Sequence, residues 1–279
     1  IRESYLTKEG TPCLVWGRSS VVFEHNLKGY EISKKYLNEQ GKLVLGDKRY
    51  AYLTRAHDDV GNVIEEDYFG TDKNPVFVKN GYASVIRTYS DRGNEITEVF
   101  LGVDGSPIYS KDGYVKSISV YDSKGRDIEI SFFGFNEEPV FIKDGYAKFK
   151  RTYDDDGNEI KITLFGLKGK PINSKAGFSK IVKSYKNHNM VKVAYFGKNG
   201  KPTAINPFSP PSTETSYLRK SDISERKSNI NRGYSSINRT YDGKGFELDA
   251  SFFGVNGEPV LSKYGFFKIT KDYDNKGNL

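Results

Sequence analysis

The chain has 279 residues, a formal net charge of +7 and an isoelectric point of about 9.1, with 28% charged and 36% hydrophobic residues. This composition predicts a thin core under much polar surface. No segment approaches the roughly 18 consecutive apolar residues of a membrane-spanning helix, so we expect no membrane span. Cys13 is the only cysteine, which excludes a disulfide framework and a thiolate metal site.

Residues 1–66 contain two imperfect copies of a unit that recurs more regularly downstream. The pair Tyr5-Leu6 is followed at nearly equal intervals by Tyr36-Leu37 and then by the equivalent pair Tyr68-Phe69. Self-similarity at a fixed period is the signature of a repeat architecture. The period therefore governs the interpretation of the rest of the chain.

Residues 67–178 are the most regular part. An apolar pair followed by glycine recurs at a constant interval, in the segments 68–70, 100–102, 132–134 and 164–166. A glycine followed by an aromatic residue keeps the same spacing, with the glycine at positions 81, 113, 145 and 177. Tyr-Asp pairs followed by glycine mark turns, as at 121–125 and 153–157. Three markers in register predict a repeat of about 32 residues.

Each unit predicts two strands, a hairpin turn and a longer return. In the unit 145–177, apolar and polar residues predict strands at about 146–153 and 159–165. The intervening Asp-Asp-Asp-Gly-Asn has hairpin chemistry, because Asp and Asn tolerate positive φ and Gly adopts it freely. Residues 166–177 form the return, with a short strand expected after Pro171. The recurring Gly and Pro exclude a long helix.

Residues 179–203 form another unit, and residues 204–230 interrupt the period. The first half of this insertion is rich in Pro and Ser, and its charged second half is compatible with a short helix from Ser221. Insertions between repeats commonly lie on a binding face, whereas the alternative is a tolerated surface loop that costs little to close. The candidate partner-binding residues are Phe208, Tyr217, Leu218, Arg219 and Lys220.

Residues 231–279 resume the repeat, with the triplet 252–254 and turns at 241–245 and 273–277. We therefore expect a β-repeat array at 1–203, an insertion at 204–230 and a continuation of the same array at 231–279. Natural arrays finish with capping repeats. The absence of such repeats predicts an array truncated at both ends, as a fragment of a longer protein.

The predicted fold class is all-β. One hairpin cannot bury its apolar face, so neighbouring units must stack on it. We expect an elongated array of about nine such hairpin units, either a solenoid or a curved and twisted sheet. A ladder of the recurring aromatic residues would fill its interior, which accounts for 20 Tyr and 18 Phe without a ligand.

No catalytic, cofactor-binding or metal-binding constellation emerges from the sequence. His25, His57 and His188 occupy turn positions in different units, with no Ser or Cys beside them in a triad order. The acidic turn at 154–158 resembles a calcium loop, but its acids are contiguous and the distant bidentate Glu is missing. We expect no enzyme, no cofactor and no metal.

A basic residue stands one or two places before each of these Gly-aromatic pairs. The turn aspartates follow about one strand later, and a strand of eight residues spans ~26 Å. Basic and acidic rows are therefore expected at opposite edges of the array. A regular basic row suits an anionic polymer. The alternative is that these Lys and Asp residues solvate turns and protect strand edges from aggregation. The basic row consists of Lys79, Lys111, Lys143, Lys175, Arg232 and Lys263.

The Tyr-Asp-x-x-Gly-Asn turns, as at 153–158, resemble the YD repeats of bacterial RHS-type surface and toxin proteins. As short hairpins marked by glycine and aromatic residues, the units are also similar to MORN and WG repeats. The resemblance implies an aromatic-laddered β array in a large bacterial protein, acting as a shell, stalk or binding surface. It favours a cell-surface or secreted location, and no catalytic residue carries over.

The favoured function is a non-enzymatic β-repeat scaffold or protein-interaction module of a larger bacterial protein. A carbohydrate or anionic cell-surface polymer binder is the alternative. A protein partner is therefore expected first and a glycan or anionic polymer second. Nucleic acid is disfavoured because 36 acidic residues accompany 43 dispersed basic ones.

Overall fold

The computed structural model describes residues 1–11, 13–15, 17–205, 233–262, 264–274 and 277–278. They divide into two compact units, which we call unit 1 (Ile1–Lys143) and unit 2 (Asp144–Leu279). The described residues form β-strands and turns and contain no helix. The predicted insertion falls mostly outside them, so the domain division at 204–230 stays a prediction.

The described strands of unit 1 pair antiparallel, each with its neighbour in the sequence. They are β1 (Arg2–Ser4), β2 (Ser20–His25), β3 (Glu31–Leu37), β4 (Tyr52–His57), β5 (Val63–Phe69), β6 (Ser84–Tyr89), β7 (Glu95–Leu101), β8 (Lys116–Tyr121) and β9 (Asp127–Phe133).

The strands described in unit 2 follow the same rule. They are β10 (Lys148–Tyr153), β11 (Glu159–Phe165), β12 (Lys180–Lys186), β13 (Asn189–Phe196), β14 (Ser236–Tyr241), β15 (Glu247–Phe253) and β16 (Lys268–Thr270). Successive hairpins in a continuous antiparallel order confirm the predicted all-β repeat array.

The hairpin turns have the backbone conformation that their sequences predict. Gly125 and Gly157 adopt φ of 78° and 87°, where a Cβ would be strained. In the turn that has no glycine, Asn187 and His188 take φ of 51° and 62°. Two consecutive positive φ values define the tight hairpin turn whose twist matches that of the flanking strands. The turn therefore survives the loss of glycine because Asn tolerates this conformation.

The return after each second strand contains less regular secondary structure than the sequence predicted. The strand expected after Pro171 is absent from the described return, and a single bridge joins Phe165 to Pro171. Proline lacks the N–H that a continuing ladder requires. The same single bridge joins Leu37 to Leu43, however, so the pairing stops after one bridge with or without proline. Equivalent bridges to proline recur at Phe69–Pro75, Leu101–Pro107, Phe133–Pro139, Phe196–Pro202 and Phe253–Pro259.

A ladder of aromatic rings fills the core of unit 1. Rings from second strands alternate with rings from the Gly-aromatic pairs of the returns, and neighbouring centroids are 4.4–5.9 Å apart. Such pairs contribute about 0.5–1.5 kcal/mol beyond the area that they bury. The series is Tyr36, Tyr50, Tyr68, Tyr82, Phe100, Tyr114 and Phe132.

Unit 2 has a ladder of the same construction, with centroids 5.1–6.0 Å apart. Tyr195 is fully buried between Phe178 and Tyr234. The ladder continues through Phe252 and Phe266. The predicted aromatic interior is thus confirmed in both units.

The two faces of each sheet differ because side chains alternate along a strand. One side, which we call the core face, carries buried residues such as Leu53 and Val85 under the returns. The opposite side, which we call the strand face, carries their neighbours in the sequence, such as Thr54 and Ile86. Side chains are assigned to a face by this alternation. The exception is the first residue of a second strand, such as Glu95 or Glu159, which lies beyond a register shift next to the hairpin turn and is assigned to the core face by its ion pairs.

Candidate interaction surfaces

A tyrosine at the end of the first strand ties its hairpin to the preceding one in several units. Asp follows this tyrosine at Tyr121 and Tyr241, and another residue follows it at Tyr89 and Tyr185. The Tyr89 hydroxyl donates to the carbonyl of Val63 at 2.9 Å, and the Tyr121 hydroxyl donates to the carbonyl of Glu95 at 2.8 Å. Both acceptors begin the second strand of the preceding unit. Tyr185 and Tyr241 repeat this bond in unit 2, at 3.2 and 3.0 Å. This tyrosine is therefore a structural link.

The aspartate of the motif closes its own turn. Asp122 Oδ1 accepts hydrogen bonds from the backbone N–H groups of Lys124 at 2.9 Å and Arg126 at 3.0 Å. These bonds, with the Arg126 side chain, hold the pKa of Asp122 below its usual range. Bonds from Asn62 and Asn158 lower the pKa of Asp58 and Asp154 in the same way.

The turn carboxylates are thus committed to backbone donors, which supports turn chemistry over calcium binding. Within the described ranges, no group of three or more His, Cys, Asp or Glu side chains is placed to hold a metal ion. The described part of the chain also contains no helix that is long and apolar enough to cross a membrane.

An ion-pair ladder runs across the core face of unit 1. Arg55 on β4 lies 2.5 Å from Glu31 on β3 and 2.6 Å from Glu66 on β5. Arg87 on β6 pairs with Glu98 at 3.1 Å and with Glu95 at 3.3 Å, both on β7. Burial raises the pKa of Glu95. These charges bind one another and are therefore used for structure.

The core face of unit 2 carries the same kind of ladder, but its central group is a carboxylate where unit 1 has a guanidinium. Glu159 on β11 lies 2.9 Å from Arg151 on β10 and 2.7 Å from Lys183 on β12. One carboxylate therefore joins three strands. Glu247 repeats the arrangement with Arg239 and Lys271, at 3.3 and 3.0 Å.

The described lysines of the predicted basic row lie on the returns, where the backbone N–H of each donates a hydrogen bond to the preceding return. The N–H of Lys111 donates to the carbonyl of Asn80 at 2.8 Å, and the N–H of Lys143 donates to the carbonyl of Asp112 at 2.7 Å. Lys79 and Lys175 bond in the same way, at 3.1 and 2.8 Å. All four side chains are exposed. The row and the turn aspartates lie at opposite ends of the intervening strands, as expected.

Several predicted site residues lie outside the described residues. They are Arg232 and Lys263 of the basic row, and the insertion residues Phe208, Tyr217, Leu218, Arg219 and Lys220. Their roles, and polymer binding by the described part of the basic row, stay predictions.

The three histidines and the cysteine do not converge. His25 is exposed at the end of β2, and His188 is exposed in the β12–β13 turn. His57 packs against Tyr30 with ring centroids 5.3 Å apart. Cys13 is a free, half-buried thiol. His25 and His57 thus end strands, His188 lies in a turn, and the three belong to different units.

The strand face of unit 1 presents apolar side chains that the motif does not explain. Ile86 on β6 is 39% exposed and pairs across the sheet with Val99 on β7. Val120 on β8 is 45% exposed, and Ile118 lies two positions before it on the same face. Sequence reasoning missed this surface because it followed positions that recur. A period-2 pattern within β6–β8 was the signal that it left unused.

The comparisons with known proteins show a likeness of fold. No protein-family model and no curated protein matches the chain. The structure of a mutated Photorhabdus luminescens Tc holotoxin pore matches 86% of this chain with a TM-score of 0.52 and 13% sequence identity. A crystal structure of TcdB2-TccC3-TEV matches 94% of it with a TM-score of 0.44 and 13% identity.

This chain spans only 9% and 12% of the lengths of those two chains. The first likeness supports a β-repeat fold of the YD and RHS type, as the Tyr-Asp turns indicated. The comparisons give no support to the MORN and WG alternatives.

Proposed function

We propose that this chain is a non-enzymatic β-repeat scaffold and protein-interaction module of a larger bacterial protein. The observation that carries the proposal is the use of the repeated polar residues within the array. Tyrosine hydroxyls join successive hairpins, aspartates close the turns, and arginine–glutamate ladders cross the core face. The repeat signature therefore builds a framework, and binding falls to the residues that vary between units.

The apolar strand face of unit 1 supports a protein partner. Exposed Ile86 and Val120 and their half-buried neighbours Val99 and Ile118 cover adjacent strands β6–β8. Thr88 and Thr97 flank them and share a hydrogen bond of 2.7 Å between their hydroxyls. Contiguous exposed apolar surface with a polar rim is typical of sites that contact other proteins.

The concave surface available in unit 2 supports a non-enzymatic role. An open depression of about 510 Å³ is lined by Ala204, Gly254, Val260 and Phe267, among others. Glu258 alone among its described lining residues is titratable, and its carboxylate accepts the N–H of Asn256 at 2.9 Å. Acid–base or nucleophilic catalysis needs at least two convergent groups.

The fold likeness agrees with this proposal. The holotoxin pore with a TM-score of 0.52 is much longer than this chain, which matches 9% of its length. A β array of this type within a much longer chain suits a structural role.

Site-specific photo-crosslinking in the producing bacterium tests the proposal. A photoreactive phenylalanine analogue is placed at Ile86 or at Val120, and at Val60 as a control, which is 77% exposed in a turn. We expect one discrete protein adduct from positions 86 and 120 and none from position 60. Equal adducts from all three positions, or no adduct from any, would contradict a protein-binding strand face.

A further inference from the structure

The positive charge of the chain is concentrated in one segment. Residues 144–205 hold 13 Lys and Arg against five Asp and Glu, a net charge of +8, whereas residues 1–143 hold 19 against 22, a net charge of −3. The whole chain has a net charge of +7. The net charge of segment 144–205 therefore exceeds that of the entire chain, and the charges of the remaining residues nearly cancel.

The excess lies in part on the strand face of β11–β13. Lys161, Lys180 and Lys192 share this face, because Lys161 pairs with Val182, which lies between Lys180 and Ser184, and Ser184 pairs with Lys192. Lys161 and Lys192 are exposed, and Lys180 is half-buried. We call these three residues the lysine face.

No acidic side chain balances the lysine face within the described strands. Of the five acids in 144–205, Asp144 lies in a return, Asp154, Asp155 and Asp156 lie in a hairpin turn, and Glu159 is paired on the core face. The remaining strand-face positions of β11–β13 carry no acid, because Lys186 at the end of β12 is basic and the others, such as Thr163 and Ala194, are uncharged. The segment 206–232, outside the described residues, holds five bases and three acids, so its composition supplies no acidic excess.

The structural roles of surface lysine do not account for this arrangement. Lysine protects the edges of sheets from aggregation, but β11, β12 and β13 are each paired on both sides. Lys161 and Lys180 are diagonal neighbours on adjacent strands, a separation of about 7–8 Å between Cα atoms. Unbalanced like charges at this distance repel, so the cluster favours an anionic ligand.

The spacing indicates what kind of anion fits. The charges are spread over three strands, with β13 about 10 Å from β11, which is too wide for one phosphate group. An extended chain spans about 3.3–3.6 Å for every three backbone bonds, as a polypeptide does between neighbouring Cα atoms. A polymer with one phosphate for every six backbone bonds therefore carries a charge about every 7 Å. This interval matches the diagonal lysine pair. Lysine ammonium groups act on phosphates as mobile point charges without a bidentate geometry.

We propose that the lysine face binds a linear phosphodiester polymer, a polyol phosphate chain that carries no bases. The surface offers charge and lacks a stacking platform, because the Phe165 and Phe196 rings are half-buried. The Lys180 ammonium lies 4.6 Å from the centroid of the Phe196 ring and covers it. Single-stranded nucleic acid binds chiefly through open aromatic rings on which bases stack. This site is independent of the apolar strand face of unit 1.

The test compares two triple variants of the full chain that lose the same charge. The first changes Lys161, Lys180 and Lys192 to Gln. The matched control changes Lys79, Lys111 and Lys143 to Gln, which removes three exposed lysines of the basic row. Binding of poly(glycerol phosphate) is measured at several salt concentrations, with an oligothymidylate and a polyglutamate as parallel probes. Unfolding midpoints by circular dichroism establish that both variants fold like the parent chain.

We expect the first variant to lose at least tenfold in affinity for poly(glycerol phosphate) and the control to lose less than twofold. Each phosphate contact contributes about 0.7 to the slope of log affinity against log salt concentration for a single strand, so the slope should flatten by about 2 in the first variant. Equal losses in both variants, losses in the control alone, or no binding by the parent chain would overturn the proposal. Tighter binding of oligothymidylate or polyglutamate would replace the polymer with a nucleic acid or an acidic protein.

Discussion

The strand faces of units 1 and 2 differ although their core faces are built alike. In unit 1 the face presents Ile86 and Val120, whereas in unit 2 it presents Lys161 and Lys192. Both core faces carry an aromatic ladder and ion pairs. The comparison teaches that the repeat motif specifies the framework, while the strand-face positions are free to acquire different surfaces.

Removing a ring from either ladder should have the largest effect and affect both units alike. Phe100→Ala in unit 1 and Tyr195→Ala in unit 2 each leave a cavity between packed rings, so each should lower the free energy of unfolding by roughly 3–5 kcal/mol. Urea unfolding with hydrogen exchange measures the loss and locates it. Val60→Ala, in an exposed turn, should change stability by less than about 0.5 kcal/mol. A loss near zero from either ring would show that the ladders are not equivalent.

Breaking the ion-pair ladder should have a smaller effect. Glu159→Gln removes the carboxylate that Arg151 and Lys183 share, and we expect a loss of roughly 1–3 kcal/mol in the free energy of unfolding. The exposed pair of Lys116 and Glu137 is a control, because exposed pairs contribute little, and Glu137→Gln should leave the midpoint unchanged. A double-mutant cycle of Glu159→Gln with Lys183→Met isolates the coupling. Independent effects of these two changes would mean that the ladder does not stabilise unit 2.

The turn aspartates predict a common pH dependence in both units. Asp58 and Asp122 in unit 1 and Asp154 in unit 2 have pKa values lowered by hydrogen bonds in the folded state. A lowered pKa stabilises the fold above the unfolded value of about 3.9, and this contribution is lost as the pH falls below it. Glu95 has the opposite sign, because its raised pKa makes the folded state lose stability as the pH rises above the unfolded Glu value of about 4.3.

Urea unfolding between pH 5 and pH 2.5 checks this dependence. The Asp122→Asn variant should lose less stability on acidification than the parent chain, because its turn has no carboxylate to protonate. Asp59→Asn serves as the control, since Asp59 lies in a turn at 106% side-chain exposure. Parallel pH profiles for the parent and Asp122→Asn chains would mean that protonation of the turn carboxylates does not cause the loss of stability in acid.

The smallest expected effect concerns the lysine face itself. Changing the two exposed members, Lys161 and Lys192, to Gln should alter the free energy of unfolding by less than about 0.5 kcal/mol at moderate salt, as exposed substitutions do. At low salt the variant should be the more stable chain, because screening no longer masks the repulsion between the lysines. Thermal unfolding at low and at high salt concentration checks this sign. A variant that is less stable under both conditions would assign these lysines to the framework.

The sequence predicted the framework because its chemistry is local and repeated. The Tyr-Asp turns, the alternation at 159–165 and the Gly-aromatic pairs each have one structural solution, and the strands begin and end close to the predicted residues. The expected strand after Pro171 was wrong because the returns pair through a single bridge, as they also do at Leu43, where no proline is present.

The candidate surfaces were harder to predict because they depend on which strands become neighbours. Lys161, Lys180 and Lys192 are distant from one another in the sequence and follow no motif, yet strand register places them on one face. The basic row was predicted from its period, and its role in binding stays a prediction. The ladder at Glu159 was not predicted because a register shift precedes this residue and one of its two partners, Lys183, belongs to the next unit.

Lysine footprinting tests most directly the claim that binding belongs to the strand faces and not to the turns and returns. The chain is acetylated with and without poly(glycerol phosphate), and the modification of each lysine is quantified by mass spectrometry. We expect slower modification of Lys161, Lys180 and Lys192 when the polymer is present, and unchanged modification of Lys79 and Lys111. Protection of Lys79 and Lys111 with no protection of the lysine face would contradict it.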